Sequence, residues 1–273
     1  MAERIGLLAG SGCLPVHAAR GIRAAGFEPV IIGLAEEAGP ELEAEAPGME
    51  LVSLGRLGEI ARRFRARNVR RLIMAGKVQK TRFFSDIEMD GDLRALLDRL
   101  PRKNDDAILG AIVNYLGRAG LIVLPQVEFL RELLAPKGVL SRRAPDGRER
   151  ADIIFGFAMA KEIGALDFGQ SVVVKDRAVL AVEAAEGTDE TIRRGGRLGR
   201  RGAVLVKVSK PRQDPRFDMP TVGPETIAQA LEAGFSALAV EAGRTFFIAR
   251  EDSLAEADRG GLAVVGVGSR GLY

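Results

Sequence analysis

Tryptophan is absent from this chain of 273 residues, and cysteine and histidine occur once each, as Cys13 and His17. One cysteine closes no internal disulfide, and one histidine builds no zinc site. Metal–thiolate, Cys/His and Ser-His-Asp mechanisms are set aside on that ground. Any metal must therefore sit on oxygen ligands, which points to magnesium or manganese. No apolar run approaches the roughly 20 residues that span a bilayer, and the chain opens almost at once on the strand-like IGLLA rather than on a signal peptide. A cytoplasmic location is expected. Aromatic residues are scarce, at 5%, and this bears on the positive charge. The formal net charge is +3, with Arg62, Arg63, Arg65, Arg67, Arg70 and Arg71 in one cluster and Arg193, Arg194, Arg197, Arg200 and Arg201 in another. Neither cluster carries aromatics on which bases stack, so no nucleic-acid partner is expected. An anionic phospholipid or a diphosphate accounts for the same charges, and a solvated helix face accounts for the first cluster.

What is present describes a globular protein, 47% hydrophobic and 28% charged, and long enough for two cores. Up to Leu134 short apolar runs alternate with amphipathic stretches. IGLLA, PVIIG, ELVSL, RLIMAG and LIVLP read as buried strands, with helices over Pro15 to Ala25 and Leu57 to Arg67. This βαβ pattern predicts an α/β fold, with a Rossmann-like parallel-sheet domain over residues 1–134. Two further helices, Asp92 to Leu100 and Asp105 to Arg118, are split by Pro101. Residues 135–150 are poor in apolar side chains and hold Pro136, Gly138, Pro145 and Gly147, which reads as a linker. In the second domain, over residues 151–273, a helix read from Arg150 to Leu166 precedes QSVVVKDRAVLAVEA, read as an antiparallel hairpin, and then AVLVKVS, ALAVEAG, RTFFIAR and LAVVGVG. The second domain is expected to be mixed α/β (α+β).

Several stretches carry possible chemistry. After the first strand, Gly10, Ser11 and Gly12 form a tight turn into a helix with Pro15 in its first turn, a geometry that offers backbone N–H groups to an anion. It is not the dinucleotide fingerprint, because Pro15 stands where the third glycine belongs. Gly76, Lys77 and Lys80 follow a strand at the carboxyl edge, where open α/β sheets bind ligands, and Gln126 follows another. In RKNDDAIL the acids precede a helix, where capping and the helix dipole explain one of Asp105 and Asp106. In VEAAEGTDETI, Thr188 or Asp189 is expected to cap a helix approached by Glu186 and Gly187. Glu183 lies within an apolar strand, so its carboxylate needs a partner such as Lys207, Arg216 or a metal. Finally, VLVKVSKPRQDPRFDMPTVG ends an apolar run in charged residues pinned by Pro211, Pro215 and Pro220. Its Gln213, Asp214, Arg216 and Asp218, with Lys207 and Lys210 nearby, suit a metal and a phosphate; a solvated turn is the plain alternative.

With GLLAGSGCLP, MAGKVQK, RKNDDAIL, VEAAEGTDETIRRGG and VKVSKPRQDPRFDMPTVG in this order, the chain resembles the LpxI-type UDP-2,3-diacylglucosamine pyrophosphatases of lipid A synthesis over essentially its whole length. The resemblance implies a lipid-nucleotide held between two domains, magnesium dependence, and hydrolysis to UMP and the 1-phosphate of the diacyl sugar (lipid X). It also implies a homodimer acting at the inner face of the cytoplasmic membrane. On that footing Asp218 is expected to be indispensable as metal ligand or water-positioning base. Asp214 would share the metal and Glu183 assist. Lys207, Lys210 and Arg216 would grip phosphate, while the Gly10-Ser11-Gly12 turn, Gly76, Lys77, Gln126, Gly187, Thr188 and Gln213 would contact substrate. A non-catalytic carrier of a nucleotide-sugar or lipid-nucleotide is the alternative, and the Asp214/Asp218 pair discriminates against it.

Overall fold

The computed structural model describes residues 2–78, 87–101 and 105–273. Lys80 and residues 102–104 of the RKNDDAIL stretch lie outside the described residues. Contacts divide the chain into two compact units, one made of Met1–Arg131 with Asp214–Phe217 and the other of Glu132–Gln213 with Asp218–Tyr273.

The first unit runs β1 (Arg4–Ala9), α1 (Leu14–Ala24), β2 (Glu28–Leu34), α2 (Pro40–Glu45), β3 (Glu50–Val52), α3 (Leu57–Ala66), β4 (Arg71–Ala75), α4 (Gly91–Asp98), α5 (Asp105–Arg118), β5 (Ile122–Val123) and α6 (Val127–Leu130). All five strands are parallel, in the order β3-β2-β1-β4-β5. Helices cover both faces of such a sheet, which is why β1 is buried continuously from Ile5 to Ala9 rather than alternately. Helix α3 shows the sequence logic of the layer above: Leu57, Ile60, Ala61 and Phe64 recur at helical spacing and are buried. Its arginines point outward into ion pairs, Arg63 with Glu59 and Glu50, and Arg67 with Glu50. The strand order reverses between β1 and β4, so the segments after Ala9 and Ala75 leave the sheet side by side at its switch point.

The second unit runs β6 (Gly138–Val139), α7 (Gly147–Ala165), β7 (Ser171–Lys175), β8 (Ala178–Val182), α8 (Thr188–Gly199), β9 (Val204–Lys207), β10 (Thr221–Val222), α9 (Pro224–Glu232), β11 (Ala237–Glu241), β12 (Phe246–Phe247), α10 (Arg250–Gly260) and β13 (Ala263–Val267). Six strands form one sheet in the order β6-β13-β11-β9-β7-β8, with β9, β11 and β13 parallel and the flanking pairs antiparallel. The strands β10 and β12 pair separately. Alternate residues along the central strands enter different cores: Val204, Val206, Ala237 and Ala239 join Phe157 of α7, whereas Leu205, Leu238 and Val240 join Ile192, Ile227 and Ala257 of α8, α9 and α10. The fold class is thus as expected.

Residues 135–150 are not a linker. Gly138 and Val139 pair with β13, the Ser141 hydroxyl accepts the Val264 N–H at 2.7 Å, and Asp146 with Glu149 forms a capping box that starts α7 at Gly147, three residues before the expected Arg150. A two-residue edge strand and a helix cap use the same glycine, proline and aspartate that a linker uses, so composition misleads at this point. Nor does either unit end where the apolar pattern changes, because Asp214–Phe217 belongs to the first unit.

The β7–β8 hairpin turns through Asp176 and Arg177, both left-handed at φ 52° and 58°, as a two-residue turn of the right twist demands. Asp152 of α7, 1% exposed, accepts both turn amides, Asp176 N–H at 3.0 Å and Arg177 N–H at 2.6 Å. Asp152→Ala leaves both donors unpaired and is expected to lower the unfolding free energy by about 2 kcal/mol in a urea titration.

Candidate active site

In the first unit the two segments leaving the switch point are bridged to each other. Ser11 and Lys77 exchange backbone hydrogen bonds at 2.9 Å each, the Ser11 hydroxyl donates to the Lys77 carbonyl at 3.0 Å, and the Gly10 N–H donates to the Ala75 carbonyl at 2.8 Å. A Cβ on Gly10 would lie 2.4 Å from the Lys77 oxygen, and Gly76 sits at φ 99°, so both glycines are required by the crossing itself. The expectation of bare amides is corrected for Gly10 and Ser11, whose N–H groups are committed to the neighbouring segment. At the start of α1, Cys13 occupies the cap position without a side-chain cap bond and Pro15 lies in the first turn. Burial pushes the Cys13 thiol above its ordinary pKa, which suits packing rather than thiolate chemistry. Lys77 is exposed at the edge. Gln126 is buried at 4% exposure, its Nε2 donating to the Met74 carbonyl of β4 at 2.8 Å and its N–H to the Pro215 carbonyl at 2.8 Å.

In the second unit Glu183 lies one residue past β8 rather than within the strand, and its buried carboxylate is met by a hydroxyl and a backbone amide, with the expected Lys207 reached through Thr188. Its Oε1 accepts the Thr188 hydroxyl at 2.7 Å and its Oε2 the Gln170 N–H at 3.2 Å; Lys207 Nζ donates to Thr188 Oγ1 at 3.0 Å. A hydroxyl has one proton to give, so donation to Glu183 fixes Thr188 as acceptor toward the lysine. Thr188 therefore does not cap α8: it is the first helical residue, and Gly187 at φ 84° holds the cap position. A second buried pair escaped the sequence reading. Lys161 of α7 donates to both Glu241 oxygens, at 2.8 and 2.6 Å, and to the Ser209 carbonyl at 2.7 Å, while the Ser209 N–H donates to Glu241 at 2.8 Å. The available signal was Glu241 itself, an acid within the apolar run ALAVEAG, as Glu183 is an acid at the end of another apolar run.

Ser209 opens the proline-bounded loop. Gln213 closes it: its N–H donates to the Lys210 carbonyl at 3.0 Å, its Oε1 accepts the Lys210 N–H at 3.2 Å, and its Nε2 donates to the Asp218 carbonyl at 2.8 Å. Lys210 pairs with Asp167 at 2.5 Å. At the tip, both Asp214 oxygens accept from the Arg216 guanidinium between 2.6 and 3.1 Å, and the Arg216 N–H also reaches Asp214 at 3.0 Å. These bonds to Arg216 hold the Asp214 carboxyl below the usual carboxylate range against the opposing effect of its partial burial. Asp218 follows at φ 56°, exposed. The structure thus brings Asp214, Arg216, Gln213 and Asp218 into one loop, and Glu183, Thr188 and Lys207 into one node. Among the described residues no three His, Cys, Asp or Glu side chains converge as a metal cage. The donor set fits magnesium in the mode where the ion keeps much of its water and is held by one or two carboxylates with substrate phosphate.

Each unit is an α/β layer structure with charged groups gathered at strand ends. Residues 4–133 match the LpxI N-terminal domain and residues 136–265 the LpxI C-terminal domain, and the chain belongs to the LpxI family. It is 37% identical over 275 aligned positions to the UDP-2,3-diacylglucosamine pyrophosphatase LpxI of Caulobacter vibrioides, covering 97% of this chain and 98% of that one. Among solved structures, a Thermus thermophilus UDP-glucose 4-epimerase complex with NAD aligns over 98% of this chain and 87% of its own, at 14% identity and a TM-score of 0.31, too low to carry an argument. No helix among the described residues is long and apolar enough to cross a membrane.

Two outcomes follow from the geometry. Gly10→Ala forces the Lys77 carbonyl aside and is expected to lower the thermal midpoint more than Gly12→Ala, where no atom lies within 4 Å of the new Cβ and only the left-handed backbone is strained. The lowered Asp214 pKa adds stability above the unfolded aspartate value, about pH 4, and that contribution is lost as pH falls through the folded value. Denaturant midpoints between pH 7 and pH 3 should therefore fall less steeply for Asp214→Asn than for the unsubstituted chain.

Proposed function

We propose that this protein hydrolyses the diphosphate of UDP-2,3-diacylglucosamine to UMP and 2,3-diacylglucosamine 1-phosphate, in lipid A synthesis and with magnesium. The observation that carries the reading is the near full-length identity to a relative of that name, and the loop geometry supports it. Asp214 is bound by Arg216, and Asp218, four residues on in the same loop, is exposed.

In this reading Asp218 holds the magnesium ion or orients the attacking water, and Asp214 keeps Arg216 in place, entering the metal's surroundings only as a neighbour. Bound magnesium would draw charge from the diphosphate oxygens and lower the barrier to attack on phosphorus. Lys207 and Lys210 meet the remaining negative charge, and Glu183 orients Lys207 through the Thr188 hydroxyl, which can turn only one way. The start of α1, with Lys77 beside it, and Gln126 serve the rest of the substrate. A lipid-nucleotide substrate makes transient contact with the inner face of the cytoplasmic membrane part of this proposal, as is a homodimer.

The test is release of UMP from UDP-2,3-diacylglucosamine followed by mass spectrometry, with magnesium and with EDTA. Turnover is expected only with magnesium, and Asp218→Ala is expected to reduce kcat at least about a hundredfold while folding normally. Tight binding of the substrate without turnover in magnesium would sink the hydrolase and leave a carrier.

A further inference from the structure

Asp218 is exposed, yet the residue before it is among the most buried in the loop. Phe217 is 4% exposed and belongs to the main core of the first unit, together with Leu8, Leu34, Leu72, Leu93 and Ile112. Two residues earlier, the Pro215 carbonyl accepts the Gln126 N–H at 2.8 Å, and Gln126 is itself tied by Nε2 to the Met74 carbonyl at 2.8 Å. Between these points the Asp214–Arg216 pair and the Phe217 N–H bond to the Asp214 carbonyl, at 3.3 Å, close the tip on itself. Downstream, Asp218 takes up the left-handed conformation at φ 56° with its carbonyl held by Gln213 at 2.8 Å.

We infer that Phe217 is a positioning residue for Asp218. The inference rests on the hydrolase reading for its consequence in turnover, but its physical content is independent of it. An exposed aspartate on a loop would sample many backbone states, whereas a ring locked in an apolar core one residue away removes most of them. Gln126 is the second fastening, acting through the backbone of Pro215 rather than by touching substrate. A carboxylate held in this way stands ready for its metal or water, and misplacing it by about 1 Å costs up to roughly a hundredfold in rate.

The experiment compares Phe217→Ala and Phe217→Leu with Leu97→Ala, a truncation in the same core on α4 rather than in the loop. Steady-state kinetics on UDP-2,3-diacylglucosamine, below the melting temperature of each variant, is read beside hydrogen–deuterium exchange of the peptide covering residues 210–220. Phe217→Ala is expected to lower kcat roughly tenfold to a hundredfold with a smaller change in KM, and to raise exchange in 210–220 alone. Phe217→Leu, which refills most of the site, should restore both. Leu97→Ala should lower the melting temperature without moving either reading. If Phe217→Ala left loop exchange unchanged, or Leu97→Ala lowered kcat as much, the inference would be overturned. Should the unsubstituted chain show no turnover, the reaction assignment fails, and the exchange data still decide whether Phe217 orders the loop.

Discussion

A charge carried into an apolar sheet by a strand must be met there by a partner, and the second unit is arranged around that constraint. Lys207 enters the interior at the end of β9 and Glu183 just past β8, and neither reaches water freely; the hydroxyl of Thr188 stands between them and answers both. Glu241 meets the same difficulty at the end of β11 and is answered by Lys161 of α7, with the Ser209 backbone as third member. These two nodes lie where β9 gives way to the proline-bounded loop. The loop therefore departs from a backbone whose hydrogen bonds are already fixed.

The first unit solves a different problem, that of bringing two chain segments close at the switch point of a parallel sheet. Glycine at positions 10 and 76 allows the crossing, and the Ser11–Lys77 bridge makes it rigid. A turn that looked in sequence like an open phosphate cradle is thus first a structural joint. Beside that joint lie the first turn of α1 and the exposed Lys77.

Local patterns were legible because they are answered locally. The strand IGLLA, the amphipathic spacing of Leu57 to Phe64 and the hairpin about Asp176 and Arg177 each follow from residues within a few positions of one another. The need of Glu183 for a partner was readable for the same reason, though not the mediation by Thr188, which looked like a cap because threonine before an acidic first turn usually is one. Lys161 and Glu241 stand 80 positions apart, and no periodicity links them. The polar character of residues 135–150 hid an edge strand, and the polar character of Gln213 to Asp218 hid one aromatic ring with a core destination. Asp214 and Asp218, alike in sequence, differ in the fold: the first is half-buried against Arg216, and the second is exposed on left-handed backbone.

The membership of Phe217 bears on how the two halves are inherited. Residues 4–133 and 136–265 match two family domains that read as successive modules. Physically they are not interchangeable beads, since the core of the earlier module includes a ring encoded within the later one. A gene fusion that swapped either half would bring a foreign residue to position 217 or leave a hole for it. Any exchange of one half must therefore still supply, at position 217, a side chain that fills this place in the core.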